Sequence, residues 1–207
     1  EAYRSLFNKF KDAIEKYKTG EISYIDLSKT LIESDLKLIK EVFLENLVLI
    51  FKNQNLTPKT LLSVANLWGI PQRHPVFKGL EKYPEIIKIE NYGKKYHTNA
   101  HWHSDVTFEE EPPDATILYA IEVPSIGGNT LFSNQYLAYD LLEDRLKKKL
   151  NNFVSVNSNK SVVLLSGSDP SLEKSVKHPV FRTHPETGKK ALYVTQAFVE
   201  SIDGLTS

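Results

Sequence analysis

The 207 residues contain neither cysteine nor methionine. Without cysteine there is no disulfide framework, no thiol nucleophile and no thiolate metal ligand. That absence is compatible with the cytoplasm, where we place the chain. No excess of one charge exists either, since 26 Lys and Arg balance 26 Asp and Glu. A dedicated nucleic-acid binder normally carries a basic surplus, so nucleic acid is not expected as a partner. No apolar run approaches the roughly 20 residues that span a bilayer, and no signal-peptide pattern opens the sequence, so no membrane partner is expected. Apolar residues are 41% and charged residues 25% of the chain. This is ordinary globular composition with enough apolar material for a core. The length suits one sizeable domain, taken as residues 1–207.

Helical spacing of apolar residues predicts an amphipathic helix over 5–18, from Leu6 to Tyr17. A second helix is expected from a Ser34 N-cap, burying Leu36, Ile39, Val42 and Phe43. The continuous apolar run Leu47–Phe51 reads as a strand. A third helix has Thr57 as cap, Pro58 in its first turn and Gly69 at its end. Beyond Gly69 short β-type runs follow, at 86–89, 115–121, 153–156 and 191–194, with one helix over 134–150. The Ser/Lys/Asn-rich stretch 155–177 reads as mostly mobile loop. Helices first and strands later point to an α+β chain, with an antiparallel β core flanked by helices. A jelly roll is the natural candidate.

The densest polar cluster is Thr98-Asn99-Ala100-His101-Trp102-His103-Ser104-Asp105. In an extended segment, residues two apart share a face. His103 and Asp105 can therefore present an imidazole and a carboxylate to one point, and His101 lies on the same face. With one more histidine, such a pair makes a 2-His-1-carboxylate triad, which binds non-heme Fe(II) and leaves coordination positions open. Spacing alone does not choose between His101 and His103. A His-x-Asp pair by itself is more often a hydrogen-bonded surface pair than a metal site.

Five segments occur together and in order: NLVLIFKNQNLTP (46–58), WHSDVTF (102–108), PP (112–113), PSIGGNTLF (124–132) and HPVFRTHPETGKKALYV (178–194). In this combination the sequence resembles the taurine dioxygenase family of Fe(II)- and 2-oxoglutarate-dependent oxygenases, from about residue 20 to residue 207. The resemblance implies a double-stranded β-helix core, the cupin-like jelly roll, with flanking helices. It implies that His103 and Asp105 are metal ligands and that His101 is not. It makes Thr130 the contact to a 2-oxoglutarate carboxylate, and puts His74, Asn99, Val106 and Phe198 around the substrate. Phe77 stands where taurine dioxygenase carries a tyrosine, so one polar contact would be missing. Cofactors implied are Fe(II), 2-oxoglutarate as cosubstrate and O₂. The implied reaction couples decarboxylation of 2-oxoglutarate to hydroxylation of a small organic anion, a sulfonate, an alkyl sulfate ester or a related carboxylate. A homo-oligomer is compatible with this reading.

The family's distal histidine, the third metal ligand, and the arginine that binds the far carboxylate of 2-oxoglutarate are not in this sequence. The chain is therefore expected to be part of a longer enzyme, incomplete at its C-terminal end. The competing expectation is a metal-free jelly-roll scaffold that has lost activity. Two neighbouring groups are expected to be structural: His184 in the block 178–194, and Lys147–Lys149 as a solvated helix end.

Overall fold

A computed structural model describes residues 21–22, 25–90, 101–203 and 205. The helix expected over 5–18 and the candidate Asn99 lie outside the described residues. The chain divides into two compact units, one made of 1–69 and 119–134, the other of 70–118 and 135–207.

In the first unit, β1 (Glu21–Ile22) pairs in parallel with β2 (Ile50–Phe51). The strand expected over 47–51 is thus only two residues long. Leu47, in the left-handed region with φ of 65°, ends the preceding helix and delays the strand. That helix, α1 (Glu33–Asn46), begins at Ile32 and has no side-chain cap, so Ser34 lies inside it. Glu33 and Asp35 in its first turn oppose the partial positive charge of the exposed N–H groups instead. Helix α2 (Pro58–Ala65) starts as expected. Thr57 and Thr60 form a reciprocal capping box, with Pro58 in the first turn. It ends at Ala65, four residues short of Gly69. Ile22, Ile25 and Ile39 form this unit's core, joined by Leu27, Leu31, Leu49, Phe51 and Trp68.

The second unit carries α3 (Gln135–Asp140) and α4 (Asp144–Leu150), where the apolar spacing suggests one helix. Glu143 is extended, with ψ of 142°, and breaks the backbone ladder. The charges suit two helices: Asp144 opens α4, Lys147–Lys149 close it, and Lys147 Nζ donates to the Asp140 carbonyl at the end of α3 at 2.9 Å. Next come β3 (Val154–Ser158), α5 (Lys160–Ser166), a 3₁₀ turn at Pro170–Leu172, β4 (Ser175–Pro179), β5 (Phe181–Thr183), β6 (Lys190–Leu192) and β7 (Val199–Ile202). Strand β3 lies between β4 and β7 in an antiparallel sheet, and β5–β6 form a hairpin.

The stretch 155–177, expected to be loop, is therefore an ordered strand–helix–turn–strand unit. The polar residues at its start, Ser155 to Asn159 apart from Val156, are buried. Ser155 and Asn157 bond one another at 3.0 Å. Fully buried Asn159 spans the loop after α5, donating to the Leu172 carbonyl at 2.9 Å and accepting the Lys174 N–H at 2.8 Å. Phe108, Val163, Val180 and Phe181 supply the buried apolar side chains. Helices and sheets are mixed through the chain. The runs 86–89 and 115–121 form no strand among the described residues. No helix among the described residues is long and apolar enough to cross a membrane.

Candidate metal centre

His103 and Asp105 lie in an irregular segment of the second unit, and their side chains converge as the His-x-Asp spacing suggests. His103 Nε2 is 3.2 Å from Asp105 Oδ1. The other ring nitrogen, Nδ1, is 2.7 Å from the carbonyl of His101. A carbonyl only accepts, so Nδ1 carries a proton; in the metal-free pair Nε2–H also donates to Asp105, and loss of that proton leaves the Nε2 lone pair free for a metal. The second carboxylate oxygen, Asp105 Oδ2, accepts from Thr116 Oγ1 at 2.7 Å. Both donors are thus oriented through their far atoms, as metal ligands usually are.

The electrostatics agree. The hydrogen bond that His103 donates to Asp105 holds the imidazole above its ordinary value, against the opposing effect of burial. The same bond, aided by Thr116, holds the Asp105 carboxyl below the usual carboxylate range. The side chains remain 28% and 42% exposed, so a ligand can reach both.

Val106 follows directly, with φ of 55°. A β-branched residue rarely enters this left-handed region, and such strain persists only where the surroundings impose it. The next two residues, Thr107 and Phe108, are fully buried and anchor the turn. A row of aromatic rings runs from the pair: His103 to Phe198 at 6.2 Å between centroids, Phe198 to Phe108 at 5.3 Å, Phe108 to His74 at 6.3 Å, and His74 to Phe77 at 4.6 Å. His74 Nδ1 accepts the N–H groups of Val76 and Phe77 at 3.1 and 3.0 Å. Its proton therefore sits on Nε2. Burial holds His74 below its ordinary value, with Asp105 and Glu109 pulling the other way, so the neutral Nε2–H donor form is favoured.

The structure thus gathers His103, Asp105, Val106, His74 and Phe198 in one unit. Thr130 belongs to the other unit, exposed in an irregular segment. His101 contributes its carbonyl to His103, not its ring. His184 plays a local role, its Nδ1 accepting the N–H groups of Glu186 and Thr187 in the turn after β5. Thr116 lies in the run 115–121, whose sequence pattern gives no sign of this role. The Pro112-Pro113 pair between it and Asp105 is the sequence signal for a break in regular structure there.

One imidazole nitrogen, once it gives up its proton, and one carboxylate oxygen, without thiolate, form a donor pair suited to Fe(II) and similar divalent ions. Among the described residues no third His, Asp or Glu joins them.

Residues 11–207 match the family model described as taurine catabolism dioxygenase TauD, TfdA family. The chain is 32% identical over 193 residues to an alkylsulfatase of Acinetobacter baylyi, covering 86% of this chain and 60% of that protein. It is 30% identical over 199 residues to an alpha-ketoglutarate-dependent sulfate ester dioxygenase of Pseudomonas putida, covering 89% and 65%. A crystal structure of a taurine dioxygenase from Burkholderia xenovorans superposes with a TM-score of 0.75 at 30% identity, covering 90% of this chain and 63% of that one. The chain thus spans less than two thirds of the length of these relatives. The convergent His103–Asp105 pair falls within the matched region, and the match over residues 11–207 places this chain in the TauD/TfdA family of dioxygenases.

Proposed function

We propose that the protein is an Fe(II)- and 2-oxoglutarate-dependent dioxygenase that hydroxylates a small organic anion, consuming O₂ and converting 2-oxoglutarate to succinate and CO₂. The observation that carries this is the His103 Nε2–Asp105 Oδ1 pair, with each far atom tied by a hydrogen bond. The sulfonate and sulfate ester chemistry in the names of the relatives supports a sulfonate, an alkyl sulfate ester or a related carboxylate as substrate.

His103 and Asp105 would hold the iron, with a further ligand from outside the described residues. Bound iron would activate O₂, the oxidant, with 2-oxoglutarate as the two-electron reductant; one oxygen atom of O₂ would enter succinate and the other the hydroxylated product. The protein's own work is orientation and exclusion of water. The His101 carbonyl keeps the His103 proton on Nδ1, so that Nε2 remains a ligand. Thr116 fixes the rotation of the Asp105 carboxylate. His74 presents an Nε2–H donor that suits an anionic oxygen, while Phe198 and Phe108 offer an apolar wall. Within this reading Thr130 binds a carboxylate of 2-oxoglutarate, Asn99 and the Val106 backbone meet the substrate, and the core of the protein is the family's jelly roll.

The test is iron- and ascorbate-dependent CO₂ release from 2-oxoglutarate by full-length protein, with sulfonate, alkyl sulfate and aryloxy acid substrates. Turnover that stops in Asp105→Ala is the expected result. Equal turnover by both proteins overturns the proposal, and no turnover together with no Fe(II) binding points to a scaffold.

A further inference from the structure

The block 178–194 enters none of the roles above, yet its first residue reaches the metal-binding segment. His178 lies on β4, buried to 7% exposure. Its Nε2 is 3.0 Å from the carbonyl of Glu109, 69 residues away in sequence. The carbonyl accepts, so His178 donates. The ring is held edge-on against Tyr193 at 5.5 Å between centroids. The Glu109 side chain is gripped as well: Lys174 Nζ contacts both its carboxylate oxygens, at 2.9 and 3.2 Å. Lys174 is itself placed by buried Asn159, which accepts its backbone N–H. At the other end, the Glu109 N–H donates to the Val106 carbonyl at 3.0 Å, closing the turn in which Val106 has positive φ.

We propose that His178, with Lys174, is a positioning residue that clamps Glu109 and so holds the strained turn carrying Asp105 and Val106 in ligand-binding geometry. This rests on the metal reading above. The physical case is that backbone strain persists only where its neighbours over-determine it. Here a rigid strand and an ion pair fix the residue that closes the turn. Partners behind metal ligands commonly carry ten- to a hundredfold in affinity, and this one acts one step further back.

The experiment uses full-length protein with two matched polar variants. In His178→Gln the side-chain amide nitrogen takes roughly the place of Nε2 and can still donate to Glu109. In His178→Asn it falls short. Two readouts are taken: anaerobic Fe(II) affinity by calorimetry, and hydrogen exchange of the Glu109 amide in metal-free protein. The expected result is about tenfold weaker Fe(II) binding and faster Glu109 exchange in His178→Asn, with His178→Gln near wild type. Equal behaviour of the two variants overturns the proposal. Should the position-178 variants not fold, Lys174→Met at its half-exposed site decides: faster Glu109 exchange supports the clamp and unchanged exchange overturns it. The exchange readout needs no metal. Wild type that binds no Fe(II) therefore refutes the metal reading, while slow Glu109 exchange in every variant refutes the clamp.

Discussion

The φ of 55° at Val106 makes a quantitative prediction for Val106→Gly. Left-handed backbone costs an L-residue about 1–2 kcal/mol, and removing Cβ releases that cost. Two effects oppose the gain. Glycine adds about 0.5–1 kcal/mol of backbone entropy to the unfolded chain. Losing a half-buried valine side chain forfeits roughly 1 kcal/mol, half of a fully buried one. The sum lies within about 1 kcal/mol of zero. The control is Val156→Gly. Val156 is also half-buried but lies extended in β3, between β4 and β7. There the same two losses act with no strain to release, so the cost is about 2 kcal/mol. Urea unfolding of metal-free protein, followed by far-UV circular dichroism, measures both. Val106→Gly should unfold at a midpoint close to wild type and Val156→Gly clearly below it. Equal loss in the two variants would refute the claim that Val106 stores strain next to Asp105.

Thr116→Val removes the 2.7 Å bond to Asp105 Oδ2. Discounted for the partial exposure of Asp105, it should weaken Fe(II) binding by roughly three- to tenfold, with Thr116→Ser restoring it; calorimetric titration checks this. The His103–Asp105 pair also sets a pH window in metal-free protein. The contribution of His103, whose pKa is raised, is complete below its ordinary 6.5 and fades as pH rises through the raised value. That of Asp105, whose pKa is lowered, is complete above its ordinary 3.8 and fades as pH falls through the lowered value. Asp105→Asn should therefore lower the melting temperature more at pH 5 than at pH 8.5, and a larger gap at pH 8.5 contradicts the pairing. Gly79→Ala should destabilise by about 2 kcal/mol or more, because a Cβ there would land on the Pro84 carbonyl. Unchanged urea unfolding would show that this loop does not hold its close approach.

Much of this could be read before the structure because it is local chemistry. The His-x-Asp spacing alone sets two donors on one face, and His103 and Asp105 do meet. Thr57 and Pro58 mark the start of α2, where the helix begins. What the sequence does not show depends on distant partners. The polar run 155–177 suggested loop, yet Ser155, Asn157 and Asn159 are buried because β4 and the 3₁₀ turn satisfy them. The helix over 134–150 broke where Glu143 went extended and charges made two short helices self-consistent. His178 and Glu109 are 69 residues apart, and no periodicity joins them.

The most direct measurement of the central claim is anaerobic Fe(II) titration of full-length protein beside His103→Ala and Asp105→Ala, each confirmed folded by circular dichroism. One equivalent of Fe(II) bound by wild type, with either substitution lowering the affinity by a hundredfold or more, is the predicted result. Wild-type affinity in either variant would contradict the assignment of His103 and Asp105 as the iron ligands.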